Sequence, residues 1–196
     1  MKRVGQTSYK GFTIVELLIV IVVIGILAAI TVVAFNGIQT RSENTKTAQA
    51  IGQYVKLLSN YATTYGVYPT SAIPPTAPPT DFWTCLPYGP STCASSSNTP
   101  SACFGLNATS THTTFESELR KVATTLPAVS DKSTACSATQ TFQGALVRVY
   151  NSGRSISIHF PQIGDAACPT IGGATSTGRS FTNNTTRCSV DMPDYS

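Results

Sequence analysis

Three patterns of polar and apolar positions follow one another along the chain. Residues 1–11, MKRVGQTSYKG, are polar and basic and end in glycine. Across residues 17–35, a run of nineteen, Thr31 is the one polar side chain. As a helix that run spans about 28 Å, close to the hydrocarbon core of a bilayer. Beyond it the pattern becomes amphipathic: Ala48, Ile51, Val55, Leu58, Ala62 and Tyr65 recur at spacings of three and four, one stripe of a helix. Gly66 and Pro69 then supply a stop. The pattern predicts one helix over residues 13–65, roughly 80 Å long, whose first half is soluble in lipid.

The rest of the chain shows weaker periodicity. Residues 68–80 hold Pro69, Pro74, Pro75, Pro78 and Pro79 and read as extended loop. Residues 80–110 show no clear period. A short helix is expected over 114–124, opened by a Thr cap with acids early and bases late. The strongest strand signal is the pair of alternating runs 145–150 and 154–160 around Asn151-Ser152-Gly153, a hairpin. A third short strand is expected near 179–182. Tyr54, Tyr61 and Tyr68, seven apart, read as core aromatics.

Only 11% of the 196 residues are charged, well below a usual soluble domain. The net charge of +4 misleads, because Lys2, Arg3 and Lys10 precede the apolar run. Without residues 1–11, ten Lys and Arg face nine Asp and Glu, a balance of +1. That excludes the broad basic footprint of a nucleic-acid binder. Six cysteines, Cys85, Cys93, Cys103, Cys136, Cys168 and Cys188, form no C-x-x-C pair. Their even count in a Ser/Thr-rich region points to disulfides made in an oxidising compartment.

Glu16 breaks the front pattern. A carboxylate in hydrocarbon costs several kcal/mol unless paired, and the sequence presents no partner for it within the chain. A plain secretory signal, with Val32 and Ala34 as a small-residue cut site, leaves Glu16 inside the apolar region, and nineteen residues exceed its usual length of about 7 to 15. A simple one-span anchor leaves Glu16 unexplained.

Lys10-Gly11 followed by FTIVELLIVIVVIGILAAI resembles the front of the type IV prepilins and their relatives, over about 25 positions. The resemblance implies a membrane prepilin peptidase cutting after Gly11, N-methylation of the new terminal Phe12, and Glu16 as the hallmark carboxylate. It further implies that Glu16 pairs with the Phe12 amine of a neighbouring copy, so that the membrane span becomes the core of a filament. Many relatives carry a proline where this chain has Val33, which departs from the pattern.

The implied fold is α+β: a long N-terminal helix whose outer half packs on an antiparallel sheet of about four strands, with disulfide-stabilised loops. The organisation would be a leader over 1–11, a long helix over 12–66 with about 12–36 in the membrane or filament core, and a head over 67–196. Cys168 with Cys188 is the first pairing the resemblance suggests, while the fifteen pairings of six cysteines stay open to sequence alone. Cys85 with Cys93 or Cys103 would pin the Pro-rich loop.

No catalytic constellation is present. His112 and His159 read as surface residues, and no G-x-S-x-G, Walker loop or His-x-x-x-His pair occurs. Neither a cofactor nor a metal is expected, and the chain reads as a non-enzyme.

The implied role is a pilin subunit. It would be single-pass in the inner membrane before assembly and part of an extracellular fibre afterwards. Its partners would be the peptidase, the assembly machinery, other pilins and its own copies. Two alternatives remain at this level. One is a secretion pseudopilin, although the tail offers only scattered Asp165, Asp191 and Asp194 where calcium-site acids would stand. The other is a minor tip subunit for adhesion or DNA uptake, if Arg148, Arg154, Arg179 and Arg187 gather on one face of the sheet.

Overall fold

The computed structural model describes residues 11–70, 81–86, 113–130, 134–135, 141–142 and 144–195. The chain forms two compact units, Met1–Gln39 and Thr40–Ser196. One helix, α1 (Ile14–Tyr65), contributes to both. In the first unit every described residue is exposed, its large apolar side chains from Ile14 at 84% to Val22 and Val23 at 49%. This helix is long and apolar enough to cross a membrane.

In the second unit the outer part of α1 turns amphipathic, and its apolar face is buried. Ile51, Tyr54, Val55, Leu58 and Ala62 are 1% exposed or less. The expected stripe is rotated slightly: Tyr54 and Tyr61 lie inside it, as core aromatics, whereas Tyr65 at 47% lies outside. The helix ends where Gly66, with a φ of +77°, donates its N–H to the Ala62 carbonyl at 2.8 Å. Only glycine takes that left-handed turn at little cost.

The sheet is α1's partner. β1 (Asp81–Cys85), β4 (Leu146–Tyr150), β5 (Ser155–Ile163), β6 (Ser176–Thr182) and β7 (Thr185–Asp191) lie in the order β1-β4-β5-β7-β6, all antiparallel. A separate pair, β2 (Thr134–Ala135) and β3 (Thr141–Phe142), forms a small ribbon. Val147, Val149, Ile156, Ile158, Phe160, Cys188 and Val190 alternate inward and form one cluster with the α1 face. This is the expected α+β plan of helix on sheet, with five strands instead of about four.

The predicted hairpin is present. Its turn Asn151, Ser152 and Gly153 takes φ of +52°, +57° and +86°, with Tyr68 donating its N–H to the Gly153 carbonyl at 2.8 Å. The short helix α2 (Thr113–Leu119) is five residues shorter at its end than predicted. Lys121 and Val122 bond back to Glu118 and Leu119 at 3.1 Å, an i to i+3 pattern that tightens and stops it. The Pro-rich stretch from 71 to 80, His112, Cys93, Cys103 and Cys136 lie outside the described residues.

Candidate functional site

The front site starts from its backbone. Gly11, Phe12 and Thr13 are exposed and non-helical, and the helix begins at Ile14. Thr13 is its cap. The Thr13 N–H and hydroxyl both donate to Oε2 of Glu16, at 2.8 and 2.7 Å, and the Glu16 N–H donates back to Thr13 Oγ1 at 3.2 Å. This reciprocal pair is a capping box, which satisfies helix-end donors that otherwise lack partners. Glu16 therefore has hydrogen-bond donors within its own chain, contrary to the expectation from sequence. The signal that finds them is Thr-x-x-Glu before an apolar run, present as TIVE. The hydrogen bonds leave the charge of Glu16 in place.

In the head, three devices tie the elements to one another. Asn44 clamps the end of β5: its Oδ1 accepts from the Ile163 N–H at 2.8 Å and its Nδ2 donates to the Ile163 carbonyl at 3.1 Å. A second contact links α1 to α2. The Tyr61 hydroxyl donates to Oε2 of buried Glu118 at 2.5 Å, and Lys121 Nζ lies 2.7 Å from both Glu118 oxygens. Burial works to raise the Glu118 carboxyl, but the bonds from Lys121 and Tyr61 win and hold it below its ordinary value. The third device is the Cys168–Cys188 disulfide, with Cα atoms 5.5 Å apart. It fastens the segment after β5 to β7, as the resemblance suggested. Cys85 is disulfide-bonded too, and no cysteine among the described residues is free.

The outer face of the sheet carries a stacked row. The Arg148 guanidinium lies 5.2 Å from the Tyr150 ring and 5.6 Å from the Trp83 ring, and Trp83 meets His159 at 5.1 Å. His159 is half-buried rather than a surface residue. Its Nε2 bonds Ser157 Oγ at 3.1 Å, while Nδ1 is sealed from solvent without a hydrogen-bond partner. Burial first, then Arg187 and Arg148 against the opposing pull of Asp191, pushes its pKa down to about 4.

The four arginines do not gather. Arg179 sits opposite Cys188 and Arg187 opposite Ser180, so the two point to opposite faces. Arg179 is ion-paired with Asp165, and Arg154 lies at the hairpin turn, apart from Arg148 and Arg187. Among the described residues no group of three His, Cys, Asp or Glu could hold a metal ion.

Comparison with known proteins agrees with the front segment. Residues 7–32 match the family model described as the prokaryotic N-terminal methylation motif. The chain is 42% identical over 60 residues to the fimbrial protein EcpC of Eikenella corrodens, which covers 31% of this chain and 39% of that protein. The match thus spans well under half the length of this relative. No solved structure matched. The exposed, capped helix start with its lone carboxylate coincides with the matched segment: residues 7–32 carry the prokaryotic N-terminal methylation motif, in a chain similar over 60 residues to a fimbrial protein.

Proposed function

We propose that this chain is a structural pilin subunit that assembles into an extracellular type IV filament. The observation that carries the reading is the methylation motif at 7–32, which runs into the first part of α1, residues 14–39, where every apolar side chain is exposed. A prepilin peptidase would cut after Gly11, and Phe12 would be methylated. The Phe12 amine and Glu16 are then two costly charges at one end of an apolar helix. Pairing them between copies neutralises both and fixes the axial register. Before assembly the same helix holds the subunit in the inner membrane.

Electron microscopy with mass spectrometry of sheared surface fibres tests this. Long fibres built of a chain that starts at methylated Phe12 support the reading. A chain that keeps residues 1–11 at the cell surface, or starts elsewhere than Phe12, refutes it. A chain cut at Gly11 yet rare in fibres assigns it to a minor pilin or a short secretion pseudopilus.

A further inference from the structure

A groove of about 400 Å³ opens beside α1 at the beginning of the head. Arg41, Asn44 and Gln49 of α1 form one wall, and Gln162 of β5 with Ala166 and Ile171 of the segment after it form the other. Arg41 is exposed and in no ion pair among the described residues, while Lys46 pairs with Glu43 and Arg179 with Asp165.

The opposite end of the same unit offers the complement. The C-terminal segment docks beside the end of α1, where the Tyr68 hydroxyl donates to the Pro193 carbonyl at 2.7 Å and the Tyr195 N–H donates to the Arg154 carbonyl at 3.0 Å. Between them Asp194 is exposed. Glu43, Glu116, Glu118 and Asp165 each hold a cation, whereas Asp194 holds none among the described residues.

Arg41 and Thr63, which lies against Tyr195, are 22 positions apart on one helix. That is about 33 Å of rise, so Arg41 and Asp194 cannot meet within a copy. Among the described residues Arg154 shares the Asp194 end and Lys56 lies outside the groove, whereas Arg41 is the cation that lines it.

We infer that the Arg41 groove of one head receives the Asp194 segment of a second copy. This contact rests on the filament reading and deepens it. It joins different patches of identical chains, a heterologous contact that propagates along a fibre instead of closing on itself. Opposite charges at the two ends also disfavour the reversed orientation, where like charge would meet like.

Charge reversal in the native cell tests it, with fibre mass measured relative to membrane-held subunit. Arg41→Glu and Asp194→Lys should each lower fibre yield by about ten-fold or more, because each places like charges in contact. The double variant should return to within about two-fold of wild type, because it restores opposite charges in the same geometry. Single variants that assemble like wild type overturn the contact. So does a double variant no better than the worse single one. Loss in Arg41→Glu with normal assembly of Asp194→Lys gives the groove a different occupant, and overturns it as well. In each of these cases wild-type fibres that start at Phe12 leave the filament reading standing. Absence of wild-type fibres removes both.

Discussion

Replacing Tyr61 by Phe tests whether the contact between α1 and α2 contributes to stability. The ring stays, so packing in the core and against Tyr65, 4.4 Å away, is kept. What is lost is one hydrogen bond of 2.5 Å from a phenol to the Glu118 carboxylate. Glu118 is 6% exposed, so water replaces the lost donor poorly. A hydrogen bond to a charged group contributes about 1.5 to 3 kcal/mol. Lys121 still holds both carboxylate oxygens, which places the expected loss near the middle, at about 2 kcal/mol.

The loss should itself depend on pH. The folded Glu118 carboxyl sits below its ordinary value of 4.5. A lowered carboxyl adds stability that is complete above the unfolded pKa and vanishes as pH falls through the folded one. The Tyr61→Phe penalty should therefore be full at pH 7 and shrink in strong acid, where both chains carry a protonated Glu118. The assay is denaturant unfolding of the full chain in detergent, followed by the fluorescence of Trp83, the sole tryptophan. A variant within about 0.5 kcal/mol of wild type at pH 7 would refute the reasoning, because that is the scatter of an ordinary surface substitution. An equal penalty at pH 7 and in acid strong enough to protonate the folded carboxyl would show that packing, not the charged bond, was lost.

Four further outcomes are expected. His159, pushed from 6.5 down to about 4, makes the unfolded chain bind more protons across that window, so stability rises with pH there by up to about 3 kcal/mol. His159→Gln should flatten that slope, and an unchanged slope would reject the assignment. Removing the Cys168–Cys188 bond, which spans 20 positions, should cost about 3 kcal/mol by loop entropy in the same unfolding assay; a double Cys→Ser variant as stable as wild type would contradict this. Asn44→Ala strips both backbone groups of Ile163 of their partner and should cost about 1 to 3 kcal/mol, with faster amide exchange at Ile163 as its local sign. Glu16→Gln keeps an acceptor for Thr13 but loses the charge, so fibre yield should fall as completely as in Glu16→Ala; normal fibres in the Gln variant would reject charge pairing.

The parts of the fold legible in the sequence were those written in local pattern. α1 has a 3.6 period through its outer half and a glycine at its stop, and both ends came within a residue of prediction. The hairpin declared itself by alternation around a turn rich in Asn, Ser and Gly. β7 did not: its inward positions Thr186, Cys188 and Val190 include one strong apolar residue, and its partner β5 lies more than twenty residues away. The Asn183-Asn184 turn that joins β6 to β7, with φ of +47° and +60°, is a weaker hairpin signal than Asn-Gly. β1 is short and pairs with β4 across some sixty intervening positions, which no window reads. His159 was misplaced because alternation gives a face, not its cover: the ring of Trp83, two strands away, lies against it.

At the front, the sequence posed the problem of Glu16 correctly but left out half of its solution. The Thr13 cap changes what remains to be explained. Two donors on Oε2 offset part of the desolvation of the carboxylate, which in the proposed membrane-held stage would lower the cost of a lone subunit. They cannot cancel a full negative charge, because an N–H and an O–H are dipoles and leave no net cation beside it. The first part of the helix that follows, residues 14–39, buries no apolar residue against its own chain, so both its charge and its apolar surface ask for a partner outside the subunit. In the head the reverse holds: the core is closed, four carboxylates hold a cation, and the disulfide fastens the segment after β5 to β7. In the proposed fibre this division is functional. The head arrives finished and the front arrives incomplete, so assembly satisfies the front without unfolding the head. A single new cation per copy, the amine that cleavage creates at Phe12, is then sufficient to complete it.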